Sequence, residues 1–145
     1  DISRLPTTQQ VVALTFDAGA NADAIPKILA TLSAETVPAT FFLTGAWVRR
    51  YPAQAAQIAQ RYPIGSHSDT HPYFTKLSDA QIQAELNSAH ASILKAAGQD
   101  PRPLFRFPFG DRDERTRDFL NRWVDAYVSW IGRFAAPQQL RVAAE

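Results

Sequence analysis

Two short segments contain the residue types that metal-assisted hydrolysis needs. Residues 15–19 (TFDAG) place the carboxylate of Asp17 after an apolar run, and residues 67–71 (HSDTH) place two imidazoles four residues apart. One helical turn between His67 and His71 would point both rings the same way. A carboxylate beside paired imidazoles can bind a metal ion and activate water. The chain has three histidines, so two of them lie in this motif.

The composition narrows the chemistry of such a site. The chain has 145 residues and no cysteine, so any metal must be bound through nitrogen and oxygen. A formal net charge of +1 gives no electrostatic reason to expect a nucleic acid as partner. No apolar run reaches the roughly 18 residues that predict a membrane span. The chain begins at Asp1 and contains no Met, which predicts a processed or trimmed chain, for example after signal-peptide removal.

The elements that position these residues follow from the hydrophobic pattern. Apolar runs predict strands over residues 11–16, 39–44, 63–67, 104–109 and 126–130. Helical spacing predicts helices over residues 21–35, 46–61, 78–97 and 116–123, with Pro52 near a break in the second. Ser78 and Gln81 predict a capping box at the start of the third helix, and Gly98 predicts its end. Alternating strands and helices predict an α/β fold with a parallel sheet, and the length predicts one domain.

Polar residues follow several of the predicted strands. Asp17, Thr44, His67 and the segment after Arg106 all lie at strand ends. In parallel α/β folds such ends meet on one face, where binding sites form. The sequence therefore predicts one shared site rather than four separate features.

Four segments, taken in order, resemble the NodB-like polysaccharide deacetylases, one of the carbohydrate esterase families. They are residues 12–17 (VALTFD), 39–45 (ATFFLTG), 65–72 (GSHSDTHP) and 105–110 (FRFPFG). The resemblance covers about residues 11–110 and implies an irregular (β/α) barrel. Residues 1–145 would be a single domain of this type, truncated or divergent after about residue 130.

The resemblance also implies a role for each matching residue. Asp17 would be the general base, and His67 and His71 would bind a divalent metal, usually zinc. Arg106 would hold the Asp17 carboxylate in place through a charge-assisted hydrogen bond. The backbone N–H of Phe109 would stabilise the oxyanion, at a position where the family usually has Tyr.

The same resemblance implies a reaction, a substrate and a location. The reaction is removal of acetyl groups from an N-acetylglucosamine-containing polysaccharide, such as peptidoglycan or a chitin-like polymer. The partner would then be an acetylated polysaccharide, and the location extracellular or cell-wall associated. Which residues bind the substrate does not follow from the sequence.

The first departure from the family lies at Ala18, where the family has an Asp that is the third metal ligand. Catalytic zinc sites usually have three protein ligands and a water molecule. Asp69, Asn21 or Asp23 are alternative third ligands. Asp17 is another, although a carboxylate bound to the metal would be a poorer base.

The second departure lies beyond residue 130. The family there has further pocket-lining residues and a histidine that acts as general acid, and this chain has no histidine after His90. An open half-barrel predicts either pairing with a second copy or a fragment of a longer protein. A relative or fragment that binds sugar or metal without turnover is therefore the alternative function.

Other residues have simpler interpretations. Thr44 is expected to cap a helix, and His90 is expected to be a solvated helix residue. Trp47, Tyr73 and Phe74 are expected either to line a sugar groove or to pack in the core. Residues 111–114 are expected to form a solvated turn that starts a helix.

Overall fold

The computed structural model describes residues 8 and 10–131, in which short strands alternate with helices. The elements are, in order, β1 (Thr15–Ala18), α1 (Ile25–Ala34), β2 (Thr40–Leu43), α2 (Gly45–Arg50), α3 (Pro52–Ala59), β3 (Ile64–Ser66), α4 (Asp79–Ala97) and α5 (Glu114–Ile131). Two 3₁₀ turns, Phe74–Lys76 and Pro108–Gly110, flank α4 and precede α5. Among the described residues no helix is long and apolar enough to cross a bilayer.

The three strands form one parallel sheet in the order β1-β2-β3. Thr15 pairs with Thr40, and Phe41 pairs with Ile64, so the strands end at the same edge of the sheet. The predicted parallel α/β arrangement is confirmed. The described residues do not form the closed barrel that the family resemblance implies.

The core lies between the sheet and the helices that follow each strand. Its large members are fully or almost fully buried: Phe41, Leu43, Trp47, Val48, Ile58 and Ile93. Trp47 also donates its ring N–H to the carbonyl of Asn21 at 3.1 Å. Phe74 is fully buried too. Of the three aromatic residues that could either line a sugar groove or pack in the core, only Tyr73 is substantially exposed, at 46%.

Several predicted helix boundaries are confirmed. Ser78 forms the capping box with Gln81, and Gly98 ends α4 in the left-handed conformation at φ 68°. Thr44 caps α2 by accepting the Trp47 N–H at 3.2 Å. Pro52 divides the predicted helix 46–61 into α2 and α3, because proline begins a new first turn more readily than it continues a helix.

The first strand lies later in the chain than predicted, at Thr15–Ala18 instead of residues 11–16. By the sheet register, the residue opposite Ala13 is Pro38, which has no N–H to donate to a neighbouring strand. Val11, Val12 and Leu14 are accordingly exposed, at 51%, 92% and 40%.

The predicted strand over residues 104–109 is wrong except for one parallel bridge between Ser66 and Phe105. That bridge consists of a hydrogen bond from Ser66 N to Leu104 O at 2.9 Å and one from Arg106 N to Ser66 O at 3.0 Å. Pro103 and Pro108 flank the bridge and cannot donate, and the chain then turns at Pro108–Gly110.

The predicted strand over residues 126–130 is also wrong, because those residues lie in α5. No Gly or Pro occurs between Glu114 and Ile131, so nothing in the sequence ends the helix at residue 123. Of the described residues, those up to Asp111 and those from Arg112 to Ile131 belong to two different units. Within the second unit, α5 starts with Asp113 accepting the Thr116 N–H at 2.8 Å, which lowers the pKa of the Asp113 carboxyl.

Candidate active site

The edge where β1 ends carries an ion pair between Asp17 and Arg106. Arg106 Nη1 donates to Asp17 Oδ1 at 2.7 Å, and Arg106 Nη2 donates to Thr15 Oγ1 at 2.8 Å. The guanidinium also lies over the Phe42 ring, 4.3 Å from its centroid. Neighbouring strands β1 and β2 thus fix the guanidinium, and the guanidinium fixes the carboxylate. The Asp17 side chain remains 42% exposed, so a small molecule in solution has access to it.

The two histidines converge, although not through a helix as expected. Residues 67–71 form an irregular segment after β3, in which Ser68 and His71 both have left-handed backbone angles, with φ of 66° and 63°. The Ser68 hydroxyl accepts the His71 N–H at 3.0 Å and closes the turn. The result is an Nε2–Nε2 distance of 3.1 Å between the two rings.

Hydrogen bonding determines which nitrogen of His67 is available to a ligand. Its Nδ1 lies 2.8 Å from the carbonyl oxygen of Arg106, and because a carbonyl only accepts, Nδ1 carries the hydrogen. Nε2 therefore presents a lone pair towards His71. Burial lowers the pKa of His67 and outweighs the opposing influence of the Arg106 carbonyl and Asp17, so the neutral ring is favoured.

The described geometry fits a metal ion with respect to two ligands. Zn–N bonds of about 2.0–2.1 Å place two nitrogens at tetrahedral positions about 3.3 Å apart, close to the observed 3.1 Å. Asp17 Oδ2 lies 3.8 Å from His67 Nε2, on the same side of the sheet edge. The described residues contain no group of three His, Cys, Asp or Glu side chains that could hold a metal.

The residues considered as alternative third ligands do not bind at the histidine pair, and two of them form hydrogen bonds with other residues. Both carboxylate oxygens of Asp69 accept from Arg49, at 2.6 and 3.1 Å. The side-chain oxygen of Asn21 accepts the backbone N–H of Asp23 at 3.3 Å, in a local turn. Ala18 itself is buried, at 7% exposure. The structure thus leaves the third coordination position without a protein ligand from its described residues.

Phe109 lies beside the histidines with its ring exposed to solvent. Its backbone is left-handed at φ 57°, and its ring contacts that of His71 edge-on, with 4.5 Å between centroids. Tyr73 stacks on its face at 4.2 Å. These contacts place Phe109 next to the histidine pair, whereas the role of its backbone N–H stays a prediction.

His90 differs from its expected state as a solvated residue. Its Nε2 lies 3.3 Å from Asp100 Oδ1, and its side chain is only 20% exposed. It lies on α4, and its interaction with Asp100 gives it a structural role there.

Sequence reasoning missed Glu85, whose carboxylate binds the backbone of the histidine segment. It accepts the N–H groups of Asp69 and Thr70, both at 2.8 Å. A signal was available, since Glu85 follows Ile82 by three residues and precedes Ala89 by four. A carboxylate on the buried face of a helix needs a partner.

Comparison with known proteins gives a consistent result. The polysaccharide deacetylase family model matches residues 4–124. The chain is 32% identical over 132 residues to the peptidoglycan-N-acetylmuramic acid deacetylase PdaA of Bacillus subtilis, covering 86% of this chain and 50% of that protein. It is 33% identical over 126 residues to a peptidoglycan-N-acetylglucosamine deacetylase of Bacillus cereus, covering 86% of this chain and 46% of that protein.

A solved structure is similar in fold. A CE4 family pseudoenzyme from Bacillus anthracis superposes with a TM-score of 0.75 at 30% identity, covering 80% of this chain and 41% of that one. The chain thus spans about half the length of the curated relatives it matches.

Proposed function

Because this chain belongs to the polysaccharide deacetylase family, we propose that it is a metal-dependent hydrolase that removes acetyl groups from an N-acetylglucosamine-containing polysaccharide. The observation that carries this proposal is the convergence of three groups at one sheet edge. The Nε2 atoms of His67 and His71 are 3.1 Å apart, and Asp17 Oδ2 is 3.8 Å from His67 Nε2. A carboxylate that can act as a base, beside two nitrogens that can bind a metal, supports metal-assisted transfer of the acetyl group to water.

Each residue has a definite task in this proposal. His67 and His71 would hold the metal through Nε2, and the Arg106 carbonyl keeps the His67 ring in the tautomer that permits it. A bound divalent metal, which we propose is zinc, would lower the pKa of its bound water to about 7 and polarise the acetyl carbonyl. Asp17, oriented by Arg106, would accept the proton of the attacking water. The Phe109 N–H would donate to the developing oxyanion.

The substrate and location follow from the named relatives as proposals. PdaA of Bacillus subtilis and its Bacillus cereus relative are named as peptidoglycan deacetylases. We propose acetylated peptidoglycan as the first substrate to test, with a chitin-like oligomer as the second. Such polymers lie outside the cell membrane, so the proposed location is extracellular or at the cell wall.

The direct test is acetate release from purified peptidoglycan and from an N-acetylglucosamine oligomer, with zinc added. We expect release that is abolished by a chelator and by Asp17→Asn, which keeps the size of the side chain and removes its basicity. Zinc calorimetry on the wild type and on His67→Ala tests the metal separately. Acetate release that persists in Asp17→Asn would overturn the proposed base.

A second candidate function is binding without turnover, and the residue at position 18 favours it. Ala18 cannot bind metal, and the described residues bring no third ligand to the histidine pair. The chain is also similar to a protein named as a pseudoenzyme. Binding of the oligomer with no acetate release at any zinc concentration would support this alternative.

A further inference from the structure

The backbone of residues 67–71 is strained, and the segment is buried as far as Asp69. Ser68 and His71 are left-handed, at φ 66° and 63°, although neither is glycine. Such residues are disfavoured and persist only where surrounding contacts hold them. Ser68 is fully buried and Asp69 is 8% exposed, so water cannot satisfy their backbone groups freely. The segment therefore depends on partners from other elements.

The carbonyl groups of the segment are bound by the start of α2. Gly45 N donates to Ser68 O and Ala46 N donates to Asp69 O, both at 3.0 Å. Gly45 permits this approach, because a Cβ there would lie 2.0 Å from Asp69 Oδ1 and 2.9 Å from Ala89 Cα. The first turn of α2, whose N–H groups have no acceptor within the helix, thus satisfies one side of the segment.

The N–H groups of the segment are bound by a single side chain from α4. One oxygen of Glu85 accepts the N–H groups of Asp69 and Thr70, both at 2.8 Å, and the other accepts the Thr70 hydroxyl at 2.6 Å. Sequence separations of 15 and 16 residues make these tertiary contacts. Without this carboxylate, both N–H groups of the strained segment would lose their protein partner, that of Asp69 at a buried residue and that of Thr70 at an exposed one.

A second contact to the segment is weaker. Arg49 binds the Asp69 carboxylate through two nitrogens, but its side chain is 49% exposed. Exposed ion pairs contribute little to stability, because water screens them. It also acts on a side chain, whereas Glu85 acts on the backbone whose angles aim the two imidazoles.

We propose that Glu85 is a positioning residue for the histidine pair. By binding the backbone between His67 and His71 it holds the left-handed turn that brings their Nε2 atoms together. The expected effect of Glu85 on metal affinity rests on the proposed function. Its expected effect on the backbone of residues 67–71 does not depend on that function.

Two substitutions distinguish the effect of the length of the Glu85 side chain from the effect of its charge. Glu85→Gln loses the charge but keeps the length, since its carbonyl oxygen can accept both N–H groups and its amide can donate to the Thr70 hydroxyl. Glu85→Asp keeps the charge but is one methylene shorter. Positioning predicts that Gln preserves the site and Asp does not. Gln83→Asn is the matched control, because it shortens a side chain on the same helix that donates to Asn87 at the surface.

The first readout is zinc affinity by calorimetry. We expect Glu85→Asp to weaken zinc binding about 10- to 100-fold, the usual effect of removing a group that orients a metal ligand. Glu85→Gln and Gln83→Asn are expected to bind as the wild type does. Wild-type affinity in Glu85→Asp would overturn the proposal. So would loss of affinity in Glu85→Gln with none in Glu85→Asp, because that result assigns the effect to charge.

The second readout needs no metal and distinguishes the two proposals. Amide hydrogen exchange of Asp69 and Thr70 in the metal-free protein is expected to be faster in Glu85→Asp and unchanged in Glu85→Gln. If the wild type binds no zinc, but exchange is faster in Glu85→Asp and unchanged in Glu85→Gln, the proposed metal function fails and the positioning role stands. Unchanged exchange in Glu85→Asp would overturn the positioning role.

Discussion

His67 experiences opposing influences from its surroundings. Burial lowers its pKa, while the Arg106 carbonyl and the Asp17 carboxylate act in the opposite direction, and burial prevails. The folded state therefore resists protonation of this ring more than the unfolded chain does, for which the pKa is about 6.5. Its contribution to stability is fully present above pH 6.5 and is lost as the pH falls below that value.

We predict that the metal-free protein loses stability below pH 6.5 partly through His67. The contribution has a limiting slope of about 1.4 kcal/mol per pH unit for one proton. Urea unfolding at pH 7.5, 6.5 and 5.5 should show a smaller loss in His67→Gln than in the wild type. Equal losses in the two proteins would contradict the prediction, because every other titrating group is common to both.

Ala18 bears on the strength of metal binding. We predict that Ala18→Asp tightens zinc binding by at least about tenfold, since a third protein ligand completes the usual catalytic set. Ala18→Asn is the control, because it has nearly the same volume at this buried position but is a poor zinc ligand. Calorimetry at pH 7.5 compares them. Equal affinity in the Asp and Asn variants would mean that position 18 does not face the metal.

Much of the residue-scale arrangement could be predicted from the sequence. Asp17 and His67 could be placed together because each follows an apolar run at the end of a strand, where sites form in parallel folds. Arg106 comes from a segment that was wrongly predicted as a strand, and the catalytic roles of all three stay predictions. The position of Glu85 among the buried residues of α4 indicated that it needs a partner, but not which one, because the partners are two backbone N–H groups 15 and 16 residues away.

At the scale of elements, α4 matters because it carries Glu85, which binds the backbone of residues 67–71. Its start is fixed by a reciprocal capping box: the Ser78 hydroxyl accepts the Gln81 N–H at 3.3 Å, and the Gln81 side chain accepts the Ser78 N–H at 2.9 Å. The box satisfies two groups that the helix itself leaves without partners.

We predict that Ser78→Ala lowers the free energy of unfolding by about 1 kcal/mol, within the range of 0.5–2 kcal/mol for lost caps. Ser88→Ala, at an exposed position inside the same helix, is the control and should be neutral or slightly stabilising, because Ala is the better helix former. Urea unfolding measures both. A Ser78→Ala protein as stable as Ser88→Ala would show that the cap is not needed.

Helix boundaries that depend on local residues could be predicted from the sequence. Strands that depend on hydrogen bonds to a neighbouring strand could not. The cap residues of α4 and the break at Pro52 are properties of the local chain, and both are confirmed. The strand predicted at residues 104–109 failed because a strand needs N–H donors along its length, which the flanking prolines remove. The strand at residues 126–130 failed because an apolar run alone does not distinguish a strand from a helix.

At the scale of the whole molecule, the described residues leave a sheet edge and an apolar surface beside it. In the described sheet, β1 pairs only with β2. Next to it in the chain, Val11 and Val12 are 51% and 92% exposed. Strand edges and exposed apolar residues both favour association with another chain. We expect a second copy of the chain to bind at this edge.

We predict that the chain self-associates through this edge and that Val12→Lys weakens the association, because a lysine there would have to lose its hydration in the contact. Light scattering across a concentration series should give a mass that rises from monomer towards dimer in the wild type and less steeply in Val12→Lys. Leu94→Lys replaces another exposed apolar residue, 44% exposed on α4, and should leave the association unchanged. A wild type that stays monomeric at all concentrations would contradict pairing of the edge. If both variants lost association equally, the association would depend on exposed apolar surface in general. A contact at the β1 edge would be weakened by the substitution at position 12 and not by the one at position 94.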